Sequence, residues 1–280
     1  MQPVTDIKMI ATDLDGTFFN DQRQVNEPKF AALLDYFDQH DMHFVIATGN
    51  DQPLVDQIFA PFLGRFDYVM NNGAQVSTRT GQQLREAHFK APDLPIIQDL
   101  IEGQNMHFRH GIIFNGVHDS YMLRDYIEVG DLYDDILWYF PKLKYIDRIS
   151  DIPADETIVK VIFSAAPDEA NQFITMVNSE FAEAYHATTS GYGAIDVIPA
   201  NVNKATGLDY LLDFYHLEAS ELMTFGDGFN DLEMLEYAAE PKSMPNGDTY
   251  IKDHFPQAIA DNNHDGVLDT IIRTLNIKLK

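Results

Sequence analysis

Met9-Ile10-Ala11-Thr12-Asp13-Leu14-Asp15-Gly16-Thr17 is the stretch from which the fold of this chain can be read. Its first four residues form a short apolar run that predicts a buried strand. Asp13 and Asp15 follow at the end of that strand, separated by one residue. On extended backbone such residues project to the same side, and in open α/β sheets that strand end is where ligand sites lie. Two carboxylates so close repel each other unless a cation sits between them or one carries a proton. A divalent metal and an acid/base role answer that cost. Gly16 allows a sharp exit from the strand, and Thr17 can donate to an anion.

A second acidic cluster lies late in the chain. Leu222-Met223-Thr224-Phe225 reads as another buried strand running into Gly226-Asp227-Gly228-Phe229-Asn230-Asp231, after which Leu232 to Leu235 begins a helical pattern. Glycines flank Asp227, so its carboxylate can reach a shared cavity. Hard oxygen ligands of this kind suit Mg²⁺, which usually keeps waters alongside one or two carboxylates.

Between these clusters the chain alternates strand and helix. His43 to Ala47 is a strand ending at Thr48-Gly49. Phe30, Leu33, Leu34 and Phe37 mark one helix face, and Pro53 to Phe62 a second helix. Asp67 to Met70 is a third strand, stopped by the turn Asn71-Asn72-Gly73. Alternation of this kind implies a parallel sheet with right-handed crossovers. From Gln83 to Tyr192 the alternation is lost, which predicts an inserted α+β domain over 83–192. It resumes at Ile195-Asp196-Val197-Ile198, so 1–82 and 193–280 are assigned to the core. Glycines near the two junctions, Gly81 and Gly191 to Gly193, are the expected hinges. A late strand is expected at Gln257 to Ala260.

The 280 residues carry 19 Lys and Arg against 44 Asp and Glu, a net charge of −25. No basic stripe for nucleic acid is present. No apolar run approaches the roughly 20 residues of a membrane span, and the N-terminus does not have the pattern of a signal peptide. The absence of Cys excludes disulfides and thiolate chemistry and fits a cytoplasmic protein. An acidic surface repels phosphorylated metabolites at long range. A phosphate site must therefore reverse the field locally, with a metal, a lysine and backbone N–H groups.

Four segments at strand ends or helix starts now line up: Asp13 to Thr17, Thr48-Gly49, Lys204, and Gly226 to Asp231. In order and spacing they resemble the four motifs of the haloacid dehalogenase (HAD) superfamily. The position and size of the insertion are similar to the Cof-type group with a type IIB cap. The resemblance implies a Rossmann-like parallel-sheet core with an inserted cap, and a Mg²⁺-dependent phosphatase of small phosphorylated metabolites such as a sugar phosphate. It implies that Asp13 is the nucleophile that forms an aspartyl-phosphate. Asp15 would then be the acid and base. Mg²⁺ would bind Asp13, Asp227 and the backbone carbonyl of Asp15. Thr48, the Gly49 N–H, Lys204 and Asn230 would lie on the phosphate side, with Asp231 behind them. A phosphomutase and a non-catalytic phospholigand sensor are the rival readings. The sequence sets no oligomeric state.

The chain departs from that pattern in two places. The second motif often continues Thr-Gly-Arg, whereas here Asn50 follows Thr48-Gly49, so a cation is replaced by an amide. Met244-Pro245-Asn246-Gly247-Asp248 stands where Gly-Asn-Ala is frequent. Asp261 to Gly266 mimics the start of a calcium loop, but Ile272 occupies the position that demands Glu, so the segment reads as a loop capping the last helix. His107, His110 and His118 read as scattered histidines of the insertion.

Overall fold

The computed structural model describes residues 6–140, 142–191 and 193–279. They divide into two compact units, one of residues 1–85 with 203–280 and the other of residues 86–202.

The first unit is built on β1 (Met9–Thr12), β2 (His43–Ala47), β3 (Asp67–Met70), β4 (Gln75–Ser77) and β5 (Gln83–Glu86). The second unit contributes β6 (Phe108–Gly116), β7 (Ser120–Leu123), β8 (Leu143–Ile146), β9 (Ile158–Ala165), β10 (Tyr185–Gly191) and β11 (Ala194–Pro199). The chain then returns to the first unit with β12 (Leu222–Gly226) and β13 (Glu240–Ser243). The first sheet has the order β13-β12-β1-β2-β3-β4-β5. Its strands from β13 to β3 are parallel, and β4 turns back antiparallel on β3.

Strands of this sheet are buried on both faces, which is why they read as apolar runs with little alternation. Ile10, Phe44, Ile46 and Phe225 point into one core together with α1 (Glu27–His40). Met9, Ala11, Val45 and Val69 point into the other with α6 (Lys204–Tyr215). The first core is aromatic: the Phe30 ring lies 5.0 Å from Phe44 and 4.9 Å from Phe62. Helix α1 starts at Asn26, whose side chain accepts from Lys29 N–H, and stops at Asp41 in the left-handed region. The second helix ends early. α2 covers Gln52–Ile58, and a separate 3₁₀ turn, Ala60–Phe62, contains Pro61, which cannot continue an α-helix.

The second unit has its own antiparallel-rich sheet, β10-β11-β9-β6-β7-β8, in which β7 and β8 run parallel. Its core joins Ile97 and Ile101 of α3 (Asp93–Glu102) and Phe173 and Val177 of α5 (Pro167–Glu180) to Phe163, Ile195 and Val197 of the sheet. Between α3 and α5 lies the short α4 (Tyr133–Tyr139). His110, Lys160, Ser164 and Asp196 are buried polar residues of the same sheet, with Lys160 Nζ 3.3 Å from Asp196.

Three boundaries differ from the sequence reading. Ile195 to Ile198 is not a core strand: β11 pairs antiparallel with β9 and β10, so 193–202 falls in the second unit. The chain crosses between units at Arg85–Glu86 and Val202–Asn203. The expected glycine hinges are therefore displaced, Gly81 lying in the turn between β4 and β5 and Gly193 in the β10–β11 connection; Tyr192 lies outside the described residues. Gln257 to Ala260 contributes one parallel bridge, Ser243 to Gln257, and no longer strand. Among the described residues no helix is long and apolar enough to cross a membrane.

Candidate active site

Three of the four motifs and the Asn71 turn lie immediately after core strands, and the fourth, Lys204, opens α6. Asp13 follows β1, Thr48 follows β2, Asn71 follows β3 and Asp227 follows β12. Parallel strands therefore bring four chain segments to one edge of the sheet, their C-terminal edge.

Lys204, the first residue of α6, is wholly buried there. Its Nζ donates to Asp13 Oδ1 at 2.7 Å and to Asp231 Oδ1 at 2.6 Å. The helix is started by Asn203, whose side chain accepts from Thr206 N–H at 2.8 Å. Asn203 in turn sits against the turn Asn71–Gly73. Gly73 has φ +95°, and a Cβ at that position would overlap the Asn203 carbonyl. Glycine is what lets the turn and the helix start meet.

Asp231 has both carboxylate oxygens engaged. Oδ1 faces Lys204, and Oδ2 accepts from the N–H groups of Asp227 and Gly228 at 2.9 and 3.0 Å. It therefore organises the loop that carries Asp227. Asp227 Oδ1 accepts from the Thr17 hydroxyl at 2.8 Å, so the anion that Thr17 meets is this carboxylate. Gly16, at φ +74°, passes so close that a Cβ would lie 2.5 Å from Asp227 Oδ2.

Asp13, Asp227 and Asp231 place one carboxylate oxygen each within 4.8 Å of one another. Three carboxylates face one ammonium, and the imbalance is visible in the acidities of Asp13 and Asp227. Burial, reinforced by the charges of Asp231 and Asp227, raises Asp13 well above the usual carboxylate range despite Lys204. Burial followed by the Asp231 charge pushes Asp227 up to about 7. Burial alone would lower Lys204, but Asp13 and Asp231 outweigh it and hold the ammonium charged. A cluster of hard carboxylate oxygens is suited to a divalent cation such as Mg²⁺. Asp13 and Asp227 would hold it, since both oxygens of Asp231 are already engaged. Among the described residues this is the one such cluster, and His107, His110 and His118 do not form another.

The Asp15 carboxylate is held by a different partner, and its charge adds to those that raise Asp227. Asp15 Oδ2 accepts from Asn50 Nδ2 at 2.8 Å. Thr48 is buried, its hydroxyl oxygen accepting from Asn50 N–H at 3.2 Å, and Gly49 lies between them in the same loop. Asn230 donates from Nδ2 to Asn72 Oδ1 at 3.3 Å, which ties the β3 turn to the β12 loop. Sequence reasoning put the turn role of Asn72 before any site role. Asn246 donates to the Gly16 carbonyl at 2.7 Å and so supports the loop that carries Asp15. Neither contact has a local sequence signal, because each joins segments far apart in the chain.

Known proteins resemble this chain over nearly its whole length. The 5-amino-6-(5-phospho-D-ribitylamino)uracil phosphatase YbjI of Escherichia coli K12 is 27% identical over 273 residues, covering 96% of each chain. The enzyme class is phosphoric monoester hydrolase. The chain belongs to the haloacid dehalogenase-like hydrolases, whose family model matches residues 10–271. The crystal structure of SMU.1108c from Streptococcus mutans UA159 superposes with a TM-score of 0.88 at 28% identity, covering 97% of this chain and 100% of that one. The HAD subclass IIB sugar phosphatase BT4131 shares the fold, with a TM-score of 0.79 at 16% identity over 97% of this chain and all of that one, 100%. The fold class is thus α/β, a Rossmann-like parallel core with an inserted α+β cap.

Proposed function

We propose that the chain is a Mg²⁺-dependent phosphatase of small phosphorylated metabolites that works through an aspartyl-phosphate on Asp13. The observation that carries this reading is the pairing of Asp13 with Lys204 at 2.7 Å beside Asp227, with Asp15 two residues on and bonded to Asn50. Mg²⁺, when bound, offsets the negative charge that keeps an anionic substrate from an anionic nucleophile.

In the first step an oxygen of Asp13 forms a bond to phosphorus as the bond to the leaving oxygen breaks. Asp15 gives its proton to that oxygen, and the alcohol departs. In the second step Asp15 takes a proton from water, whose oxygen bonds to phosphorus. The Asp13–phosphorus bond then breaks, releasing phosphate and restoring both aspartates. Lys204 steadies the charge on Asp13 before attack and again as the Asp13–phosphorus bond breaks, and Thr48, the Gly49 N–H and Asn230 receive phosphate oxygens. The cap, residues 86–202, selects the leaving group.

The test is a panel of phosphorylated metabolites, ribityl and sugar phosphates among them, scored by release of inorganic phosphate. Turnover should need Mg²⁺, vanish in excess chelator and vanish in Asp13→Asn. Isomerised product without phosphate release would favour a mutase, and near-normal turnover by Asp13→Asn would remove the nucleophile assignment.

A further inference from the structure

Where the second motif often carries a guanidinium, this chain has Asn50, and its side chain is the one that meets Asp15. The residue is fixed along its backbone. Its N–H donates to Thr48 Oγ1 at 3.2 Å, and its carbonyl accepts from Asn71 N–H at 3.1 Å. The next residue, Asp51, caps α2 by accepting from Leu54 N–H at 3.0 Å. Asn50 thus projects from a loop pinned to β2, the β3 turn and the α2 start. Asp15 is half-buried on non-helical backbone, with φ −69° and ψ 123°. A carboxylate on such a segment turns freely unless something holds it.

We infer that Asn50 is a positioning residue that fixes the Asp15 carboxylate for proton transfer to the leaving oxygen. One amide N–H occupies Oδ2, so Oδ1 is the oxygen that carries and delivers the proton. A hydrogen bond of 2.8 Å to a carboxylate is strong enough to select one rotamer. Unlike a guanidinium, the amide adds no positive charge, so it orients the acid without supplying attraction for the phosphate. The inference rests on the reading of Asp15 as acid and base, and the experiment separates the two.

The experiment uses the full-length Mg²⁺-loaded enzyme and aryl phosphates running from 4-nitrophenyl to 4-methoxyphenyl phosphate, whose phenols differ in basicity. The value of kcat/KM reports the step in which the phenol leaves. A proton donor matters most for the most basic phenol. Asp15→Asn should therefore steepen the dependence on leaving-group basicity. Asn50→Ala should steepen it in the same sense, losing roughly tenfold on the 4-methoxyphenyl ester and under about twofold on the 4-nitrophenyl ester. Asn50→Asp, which keeps the shape and replaces the donor with a like charge, should be steeper still. Thermal midpoints check that each variant is folded. If both Asn50 variants lose equally across the series while Asp15→Asn steepens it, Asn50 supports the loop or the phosphate and the inference fails alone. If Asp15→Asn is as flat as the parent, the acid assignment fails and takes the inference with it.

Discussion

Lys204 and Asp231 meet at 2.6 Å with both side chains wholly buried, and neither residue touches solvent. Because Asp231 also accepts from Asp227 and Gly228 N–H groups, one carboxylate links the charge on Lys204 to the position of Asp227.

Removing the lysine should cost both stability and rate. Lys204→Met leaves Asp13 and Asp231 without their cation, and breaking a buried pair on one side costs about 3–5 kcal/mol. Turnover should fall by about 10² to 10³. Asp231→Asn should destabilise the parent yet recover part of the loss in the Lys204→Met background, since it removes the orphaned charge. Denaturant unfolding of the four proteins measures this; strictly additive losses would show that the pair is not coupled.

The raised carboxyls predict proton-linked metal binding. Asp227, pushed to about 7 by burial and by the Asp231 charge, binds a proton in the folded state that the unfolded chain has lost above about pH 4. Asp13 shifts in the same direction. In the metal-free protein this contribution is whole below about pH 4 and is lost as pH rises toward 7. Mg²⁺ should displace those protons and raise the thermal midpoint. Titration calorimetry at pH 7 in buffers of different ionisation heat should show proton release that diminishes as pH rises further. Binding without proton release at pH 7 would contradict the assignment.

His110 gives the opposite sign in the second unit. Burial lowers it, against the Gly111 carbonyl and Asp196, and Arg109 pushes the same way as burial. The unfolded chain takes up that proton near pH 6.5 while the folded one resists. The contribution of neutral His110 is therefore whole above about pH 6.5 and shrinks as pH falls below it. His110→Gln should show a flatter stability curve than the parent between pH 7 and pH 5. Parallel curves from denaturant midpoints would assign the pH dependence to other groups.

The two acidic clusters were legible because a carboxylate directly after an apolar run is a local signal, and parallel-strand topology then joins such signals. What was not legible was pairwise contact across the chain. Nothing near Asn50 announces Asp15, and nothing near Thr17 announces Asp227. Ile195 to Ile198 was misplaced for a physical reason. A short, largely apolar segment looks the same in a parallel core as in an antiparallel sheet whose strand is buried on both faces, even with Asp196 within it. The loop Asp261 to Gly266, read as a cap for the last helix, does lead into that helix, Gly266–Thr274, but no side chain caps it; Asp261 accepts from Asn263 N–H at 3.0 Å and so starts the 3₁₀ turn Asn262–His264 instead. Its Asp265 is also bound by Lys29 at 2.8 Å, a tertiary contact outside the reach of local pattern.

The contact between Gly73 and Asn203 gives the site a mechanical tolerance. The reach of Lys204 is set where one main chain rests on another, with no side chain in between to flex or repack. A single methyl group at position 73 would act as a shim under the start of α6, shifting the ammonium away from Asp13 without altering any group that takes part in the chemistry. Such a chain could fold, keep every reactive residue and still be slow, so a count of intact motifs overstates how many sequences can be catalysts.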